Sequence, residues 1–350
     1  MEIKKLVRQN ILDLKPYTSA RDLYSNGILL DANENSLGST FTEINELNLN
    51  RYPDPHQNDL RELISNRLNV LKENLFFGVG SDEIIDLLIR IFCKPGKDKI
   101  MIPEPTYGMY KVSADINNVP TVSVLLNDDF QIDLDEIEKS YSESIKIIFL
   151  CSPNNPTGNL LNKPDVLELC RKCNSIIIVD EAYIDFAEEG TLLDEIKNNP
   201  NLVVMRTFSK AWGLAGARLG YCTANEEIIK LLFKVKAPYN INTLTRFALR
   251  EAVKSEQLKN SYIKTIIEER EKLKTELAKF AEISKIFDSN ANFLLIKCSD
   301  AKNVLQKLAA KGIIIRDRSD QPKLANCLRI SVGTEEQNKI LLDALKEILK

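Results

Sequence analysis

Short runs of β-branched and apolar residues alternate with amphipathic stretches between residues 74 and 208. The apolar runs have the length of strands: "NLFFGVG", "DKIMIP", "TVSVLL", "KIIFLC", "SIIIVD" and "LVVMRTF". The stretches between them have helical spacing and include "SDEIIDLLIRIFCK", "TYGMYKVSADIN", "DLDEIEKSY" and "KPDVLELCRKC". Because strands alternate with helices and several strands are apolar throughout, the pattern predicts an α/β fold whose mostly parallel sheet is covered on both faces.

The pattern changes at about residue 225, where charged helical sequence such as "SYIKTIIEEREKLKTELAKFAE" follows. Strand-like runs then return in "NFLLIKC", "GIIIRDR" and "LRISVG", together with the helix "KNVLQKLAAKG". This order predicts a second, smaller α+β domain toward the C-terminal end of the chain.

Composition narrows the class of protein. The chain has 350 residues, of which 44% are hydrophobic and 28% are charged, as in an ordinary globular protein. A formal net charge of −3 gives no excess of positive charge for nucleic acid or an anionic membrane. The first residues are charged too often for a signal peptide, and the apolar runs are too short to cross a bilayer. We therefore expect a cytoplasmic protein.

Cysteine and histidine suggest no metal or redox site. The seven cysteines are an odd number without framework spacing, which argues against a disulfide scaffold. Cys170 and Cys173 form one C-x-x-C without a second pair, so we expect one of them to pack in the interior and the other to be half exposed. His56 is the single histidine, which excludes a histidine-rich metal site, and no G-x-S-x-G accompanies it.

Polar residues follow three of the predicted strands. Ligands of parallel sheets bind beyond the carboxyl ends of the strands, which is where these residues would lie. They are "SPNNPTG" after "KIIFLC", "DEAY" at the end of "SIIIVD" and "FSK" after "LVVMRTF". Each alone has an ordinary explanation: a turn, a capping pair of acids and a solvated lysine. Lys210, however, lies among small and apolar residues, which suits an amine that loses its charge and acts as a nucleophile.

Together these segments resemble a known family. "TFSKAWGLAGARLG" (207–220) is similar to the pyridoxal-phosphate attachment signature of the class II aminotransferases, which are fold-type I enzymes, and "NNPTG" and "DEAY" precede it in the family's order. "LDANENSLG", "RYPDP", "GVGSDEIIDLL", "PTYGMY" and "IIIRDRSDQPKLANCLRISVGT" extend the resemblance to the histidinol-phosphate aminotransferases along nearly the whole chain. The resemblance implies an arm at 1–30 that packs on the small domain or a partner subunit, a large domain with a seven-stranded sheet at 31–245, and a small domain at 246–350.

The resemblance assigns the cofactor chemistry to four residues. Lys210 would attach pyridoxal 5'-phosphate (PLP) covalently and afterwards transfer a proton. Asp180 would keep the pyridine nitrogen protonated, because the ring draws electrons only in that form. Asn155 and Tyr183 match the donors of hydrogen bonds to the ring's phenolic oxygen.

Four further residues match the ligands of the cofactor phosphate: Ser81, Asp82, Ser209 and Arg218. A helix N-terminus and an arginine both suit an anion. "GVGSDE" alone is equally a helix cap, and it lacks the third glycine of a dinucleotide fingerprint. Tyr107 matches the ring that stacks on the pyridine, although a core tyrosine would give the same sequence.

The resemblance also assigns substrate and partner contacts. Arg329 and Arg316 match residues that bind substrate anions, and Arg329 is the stronger candidate. Tyr17 and Asn33 match an N-terminal arm that folds over the substrate. Tyr52 in "RYPDP" matches a tyrosine that reaches the cofactor phosphate of the neighbouring subunit, which implies a homodimer with shared sites.

The implied reaction is a ping-pong transfer of an amino group from L-histidinol phosphate to 2-oxoglutarate, giving imidazole acetol phosphate and L-glutamate in histidine biosynthesis. The charged loop at 317–320 leaves the substrate range open, so an aromatic amino acid aminotransferase is an alternative. A lyase similar to threonine-phosphate decarboxylase is another, since it also binds a phosphorylated amino substrate. The complete set of cofactor residues argues against a non-catalytic binding protein.

Overall fold

A computed structural model describes residues 2–15 and 45–349 of the chain. Within these residues the helices are α1 (Gln9–Leu12), α2 (Asn58–Leu68), α3 (Gly80–Phe92), α4 (Met109–Ile116), α5 (Leu134–Ser140), α6 (Lys163–Lys172), α7 (Glu226–Val235), α8 (Thr243–Lys254), α9 (Glu256–Leu277), α10 (Ala301–Ala310) and α11 (Glu335–Ile348). The strands are β1 (Leu75–Val79), β2 (Lys99–Glu104), β3 (Thr121–Leu125), β4 (Ile145–Cys151), β5 (Ile176–Asp180), β6 (Leu202–Thr207), β7 (Leu219–Ala224), β8 (Ile283–Ile286), β9 (Phe293–Cys298), β10 (Arg316–Asp317) and β11 (Cys327–Ser331).

The first seven strands form one sheet in the order β1-β7-β6-β5-β4-β2-β3. Five of them, β2 to β6, pair in parallel, whereas β7 runs antiparallel to both of its neighbours. The prediction of a mostly parallel, seven-stranded sheet is therefore confirmed. The sequence does not predict β7, since "LGYCTA" is rich in small residues, yet all six of its residues are buried between β1 and β6.

Apolar side chains cover both faces of this sheet. In β4, Ile147 and Phe149 pack on the side of α3, whereas Ile148 and Leu150 pack on the side of α6 with Val166. In the central strands β4 and β5 neither face meets water, so these strands are apolar at successive positions, as the continuous runs in the sequence predict. Each fully buried side chain of this kind contributes roughly 1.5–3 kcal/mol.

The remaining strands form an antiparallel sheet in the order β10-β11-β9-β8. One face packs on α9, α10 and α11 through Leu294, Ile296, Leu328 and Ile330. The other face meets the large sheet, and there the Phe293 ring lies edge-on to Tyr183 with 5.1 Å between centroids. The predicted small α+β unit is confirmed, but the strand predicted in "GIIIRDR" is only the two residues of β10, and β8 is an addition.

Residues 2–15 pack on the helices of the large sheet. Ile3, Leu6, Val7 and Ile11 are buried in the same cluster as α3 and α7, and Arg8 N–H donates to the carbonyl of Ile91 at 3.0 Å. The spacing of these four apolar residues gives one continuous stripe, which α3 and α7 cover. Within this chain, residues 2–15 therefore contact the helices of the large sheet, and the packing of the arm at 1–30 on the small domain or a partner stays a prediction.

The predicted division at residues 245 and 246 falls inside α8. Leu249 of this helix is buried with Leu60 and Ile64 of α2, which belong with the large sheet. α9, which follows, contributes instead to the core of the small sheet. We therefore propose that the boundary lies near residue 255, between α8 and α9.

All seven cysteines are free and buried. Cys170 and Cys173 are only 8% and 7% exposed, which corrects the expectation that one of them is half exposed. Burial raises the pKa of Cys170 to about 12 and of Cys173 to about 11, so both stay protonated and unreactive at neutral pH. Within residues 2–15 and 45–349, no group of three or more His, Cys, Asp or Glu side chains forms a candidate metal site.

Candidate active site

The carboxyl ends of β4, β5 and β6 meet at one edge of the large sheet, and a cavity opens there. The structure brings nine of the predicted cofactor residues to its wall: Ser81, Asp82, Tyr107, Asn155, Asp180, Tyr183, Ser209, Lys210 and Arg218. The rule that parallel strands gather functional side chains beyond their carboxyl ends therefore located this site from the sequence.

Asp180, the last residue of β5, is buried at the bottom of the cavity with 3% of its surface exposed. The Tyr110 hydroxyl donates to Oδ2 at 2.9 Å, and the Ala182 N–H donates to Oδ1 at 3.1 Å. Burial raises the pKa of Asp180 to about 6, and these two hydrogen bonds limit the rise because they stabilise the carboxylate. Asp180 is thus ionised at neutral pH but poorly solvated, which suits a carboxylate that binds a protonated ring nitrogen.

The neighbouring carboxylate of Glu181 has a different environment. Its side chain is fully buried, forms an ion pair with Arg206 at 2.8 Å, and accepts the N–H of Leu192 at 2.7 Å and the hydroxyl of Thr191 at 2.9 Å. These bonds fix the end of β5 to β6 and to the following loop. They hold the backbone of Asp180 in place without occupying the cavity.

Lys210 follows β6 by three residues and extends into the cavity. Desolvation by the cavity wall lowers the pKa of its amine, the positive charge of Arg329 lowers it further, and the negative charge of Asp180 opposes both effects. The Nζ atom lies 5.4 Å from the centroid of the Tyr183 ring. A lowered pKa increases the fraction of neutral amine, the form that attacks a carbonyl carbon.

The start of α3 and Arg218 form one end of the cavity. Gly80 begins the helix with φ +71°, and its N–H donates to the Arg218 carbonyl at 2.9 Å. A Cβ atom on Gly80 would lie 2.9 Å from Nη2 of Arg218, so glycine lets the guanidinium lie against the helix N-terminus. The first-turn N–H groups of Ser81 and Asp82, together with Arg218 and the nearby Ser209 hydroxyl, provide the donors of an anion site.

Tyr107 lies on the wall between this anion site and Asp180. Its hydroxyl donates to Oδ1 of Asp82 at 3.4 Å, and its ring meets Tyr110 edge-on with 5.4 Å between centroids. The residue is half buried rather than enclosed in the core. Its ring is therefore available to a planar ligand in the cavity, as the resemblance implies.

Arg329 of β11, in the small sheet, contacts Asn155, which lines the cavity. The Nη1 atom of Arg329 donates to Oδ1 of Asn155 at 2.5 Å, and its guanidinium lies 5.2 Å from the centroid of the Phe293 ring. Burial lowers the pKa of Arg329, and the nearby charge of Arg316 lowers it further. Arg316 lies directly opposite Arg329 in the β10–β11 ladder and is exposed.

Of the predicted residues that the structure describes, Tyr52, Arg316 and Arg329 do not line this cavity. Tyr52 lies elsewhere on the surface, 51% exposed, with its ring stacked on Tyr239 at 4.6 Å between centroids. Tyr17 and Asn33 lie outside the described residues. The sequence reasoning missed Tyr110, although its place in "PTYGMY", three residues after Tyr107 on one helix turn, is a signal that both rings approach the same strand ends.

The whole chain matches known proteins. A sequence profile of the family "Aminotransferase class I and II" matches residues 25–345. The chain therefore belongs to the class I and II aminotransferases, enzymes that transfer amino groups.

More particularly, the chain is similar to the histidinol-phosphate aminotransferase of Cytophaga hutchinsonii, with 47% identity over 98% of each chain. A crystal structure of the histidinol-phosphate aminotransferase from Clostridium acetobutylicum is similar with a TM-score of 0.79 and 29% identity, over 86% of this chain and 91% of that one. The enzyme from Sinorhizobium meliloti in complex with pyridoxal-5'-phosphate shares the fold, with a TM-score of 0.79 and 21% identity over 98% and 97% of the two chains.

The cavity fits pyridoxal phosphate by the chemistry of its wall. A buried carboxylate with raised pKa lies at the bottom, in Asp180, and an amine with lowered pKa lies beside it, in Lys210. An anion site lies at one end, where Gly80 leaves room for the guanidinium of Arg218. These are the groups that a pyridine nitrogen, an aldehyde and a phosphate require.

We predict that Tyr110→Phe raises the pKa of Asp180 by about one unit, because a hydrogen bond to a charged group is worth roughly 1.5–3 kcal/mol. In the cofactor-free protein, stability is lost as the pH rises from the unfolded pKa of 3.8 through the folded pKa of about 6, since the folded state retains the proton longer. In Tyr110→Phe this loss should continue to higher pH. Urea unfolding at a series of pH values measures it.

Tyr141→Phe is the matched control, since it removes a hydroxyl that contacts Ser175 at 3.1 Å, away from the cavity. The charged groups that act on Asp180 from neighbouring elements are Asp82, which raises its pKa, and Lys210, which lowers it. Both remain in each variant. Identical pH dependence in the wild type and Tyr110→Phe would contradict the assignment.

Proposed function

We propose that the chain is a histidinol-phosphate aminotransferase that uses PLP to transfer an amino group between L-histidinol phosphate and 2-oxoglutarate in L-histidine biosynthesis. The products of the forward direction are imidazole acetol phosphate and L-glutamate. The observation that carries the proposal is the cavity that combines Lys210, Asp180 and an anion site, with Arg329 of the small sheet hydrogen-bonded to Asn155 of its wall. The 47% identity over nearly the full length supports the choice of substrate.

Bound PLP supplies an electron sink that makes a proton next to the amino group acidic. The residues of the chain then have separate tasks. Lys210 would hold the cofactor covalently through Nζ and, when free, would accept and return the substrate proton at that atom. Asp180 would keep the ring nitrogen protonated by hydrogen bonding and charge. Asn155 and Tyr183 would donate hydrogen bonds to the ring oxygen, and Tyr107 would contact the ring.

The two ends of the cavity bind different anions in this proposal. Ser81, Asp82, Ser209 and Arg218 hold the cofactor phosphate, largely through the first-turn N–H groups of α3. Arg329 and Arg316 take the phosphate of histidinol phosphate and the carboxylates of glutamate, so one site serves both half-reactions. Tyr17 and Asn33 would cover the substrate.

We also propose a homodimer in which Tyr52 reaches the cofactor phosphate of the partner subunit. Tyr52 is half exposed away from the cavity of its own chain, and Leu244 and Phe247 expose 50% and 45% of their surfaces. Phe247 lies with Tyr52 in the wall of one surface depression. Sedimentation equilibrium tests the homodimer, because a monomer at micromolar concentration would contradict it.

A cytoplasmic location is also part of the proposal, and it fits the seven free cysteines.

One steady-state comparison tests the substrate assignment. Purified protein with PLP should transfer the amino group of histidinol phosphate with a kcat/KM about 100-fold above that for phenylalanine, because paired arginines favour a phosphate over a neutral ring. It should release no carbon dioxide from threonine phosphate. Higher activity with phenylalanine would favour an aromatic aminotransferase, and carbon dioxide release would favour the decarboxylase-like lyase.

A further inference from the structure

We propose that Arg318 is a third anion-binding arginine on the substrate side of the cavity and that it selects a phosphate monoester over a carboxylate. The proposal rests on the proposed function and adds a residue to its substrate site. Neither the resemblance nor the residues that match the family's motifs assign a role to Arg318. The sequence shows only that the loop at 317–320 is unusually charged.

The register of the small sheet places Arg318 on the same side as the other two arginines. Arg316 pairs with Arg329, and the ladder continues with the Arg318 N–H, which donates to the carbonyl of Cys327 at 2.9 Å. Side chains two residues apart on a strand lie on one face, and directly opposed residues of an antiparallel pair share that face. Arg316, Arg318 and Arg329 therefore lie together.

This face is the one directed toward the large sheet, away from the small-domain helices, although Arg316 at its edge is exposed to solvent. Cys327, opposite Arg318, is buried with Leu126 and Phe130, which come from the large sheet side. Arg329 on the same face reaches Asn155. The alternate residues, such as Leu328, pack on the opposite face with α9 to α11. Arg318 is accordingly half buried where the small sheet approaches the large one.

The loop that follows Arg318 is anchored beside the cavity. The Gln321 amide donates to the carbonyl of Thr106 at 3.4 Å, next to Tyr107, and Lys323 forms an ion pair with Asp128 at 2.8 Å. Both contacts connect the small domain to the large one. They hold the backbone of this loop, and with it Arg318, at a defined distance from the cavity. The binding of substrate therefore does not have to position the loop.

Among the described residues, the negative charges that act on Arg318 come from Asp317 and Asp320 of its own loop. Within the described part of the chain, no ion pair joins Arg316, Arg318 or Arg329 to a carboxylate, and the Nε atoms of Arg318 and Arg329 are buried without a hydrogen-bond acceptor. Burial lowers the pKa of Arg318, and the charges of Arg329 and Arg316 lower it further, whereas Asp320 opposes them. A cluster of cations with unused donors is stabilised when an anion binds between them.

The number of arginines indicates which anion this is. A carboxylate has one charge and two oxygens, which a single guanidinium fork satisfies. A phosphate monoester carries a charge of about −1.5 to −2 at neutral pH and three acceptor oxygens. Arg329 is sufficient for a carboxylate, whereas a phosphate also engages the donors of Arg316 and Arg318. Arg318 therefore contributes more to a phosphorylated substrate than to glutamate.

The test uses the PLP-loaded protein and the variants Arg318→Gln and Arg318→Lys. We expect Arg318→Gln to lower kcat/KM for histidinol phosphate by about 10- to 100-fold, which is the effect of one hydrogen bond to a charged group. The fold loss of kcat/KM for glutamate should be at least about ten times smaller than the fold loss for histidinol phosphate. Arg318→Lys keeps the charge but loses the fork, so it should lie between Gln and the wild type. Arg171→Gln on the exposed surface of α6 is the matched charge control.

A second measurement does not depend on the identity of the substrate. Inorganic phosphate should inhibit the glutamate half-reaction, and Arg318→Gln should raise its inhibition constant by about 10-fold. Equal losses for histidinol phosphate and glutamate, or an unchanged inhibition constant, would overturn the role of Arg318. A wild type that fails to use histidinol phosphate but shows the phosphate effect would refute the proposed function and leave Arg318 supported. Normal cofactor absorbance and thermal unfolding show that each variant is folded.

Discussion

Lys210→Ala should lower kcat/KM by at least about 10⁴-fold, because it removes both the covalent attachment of the cofactor and the proton-transferring amine. The amine is placed for both tasks, since it extends into the cavity beside Asp180 and desolvation lowers its pKa. The wild type with PLP should be yellow, and borohydride reduction should fix the cofactor to the peptide that contains Lys210. Absorbance and peptide mass spectrometry measure these outcomes.

Lys197→Ala is a suitable control, because Lys197 is exposed in a loop and does not line the cavity. It should retain the colour, the reduced adduct and the activity of the wild type. If borohydride fixed the cofactor to another lysine, or to none, the assignment of Lys210 would be wrong. An inactive Lys210→Ala that still binds PLP reversibly would show that the phosphate site and the ring site remain intact.

The second large effect should come from Asp180→Asn, which removes the negative charge with little change in shape. We expect kcat/KM to fall by about 10³-fold, because a neutral amide does not hold a proton at the ring nitrogen. The cofactor-free variant should nevertheless be more stable than the wild type above pH 6, by on the order of 2 kcal/mol, since it no longer buries an ionised carboxylate. Kinetics and urea unfolding at pH 8 test the two effects together.

The adjacent Glu181 provides the contrast. Glu181→Gln leaves Arg206 buried without its ion-pair partner, so this variant should lose stability instead of gaining it. It should lose far less activity than Asp180→Asn, because Glu181 contacts the following loop and β6 rather than the cavity. If Asp180→Asn kept wild-type kcat/KM, the role of Asp180 at the ring nitrogen would be refuted.

The large sheet could be predicted because its signal is local. Strands such as β4 and β5 are buried on both faces, so an unbroken apolar run marks each of them. β7 and β8 give no such signal: β7 contains glycine and small residues and forms because β1 and β6 flank it, and β8 alternates only briefly at the edge of the small sheet. Their strand state depends on neighbours distant in sequence.

Some residues of the site could also be predicted from the sequence around them, whereas others depend on contacts with residues distant in sequence. Lys210, Asp180 and Asn155 follow predicted strands, so topology alone brings them together. Tyr110 is marked in the sequence only by its spacing from Tyr107, and Arg318 only by the charge of its loop. Tyr110 matters because α4 packs its hydroxyl against Asp180, and Arg318 because a two-residue strand sets its register beside Arg329. Neither contact follows from a motif or a propensity.

The cavity residues belong to the large sheet and the three arginines to the small sheet, and this separation affects how related enzymes acquire different substrates. The groups proposed to hold the cofactor come from the large sheet, whereas Arg316, Arg318 and Arg329 lie on one face of the small sheet, whose opposite face keeps its own core intact. Substitutions of residues on that one face would change which amine binds, while the residues proposed to hold the cofactor would stay the same. A related protein would thus acquire a new substrate by a few substitutions on this one face of the small sheet.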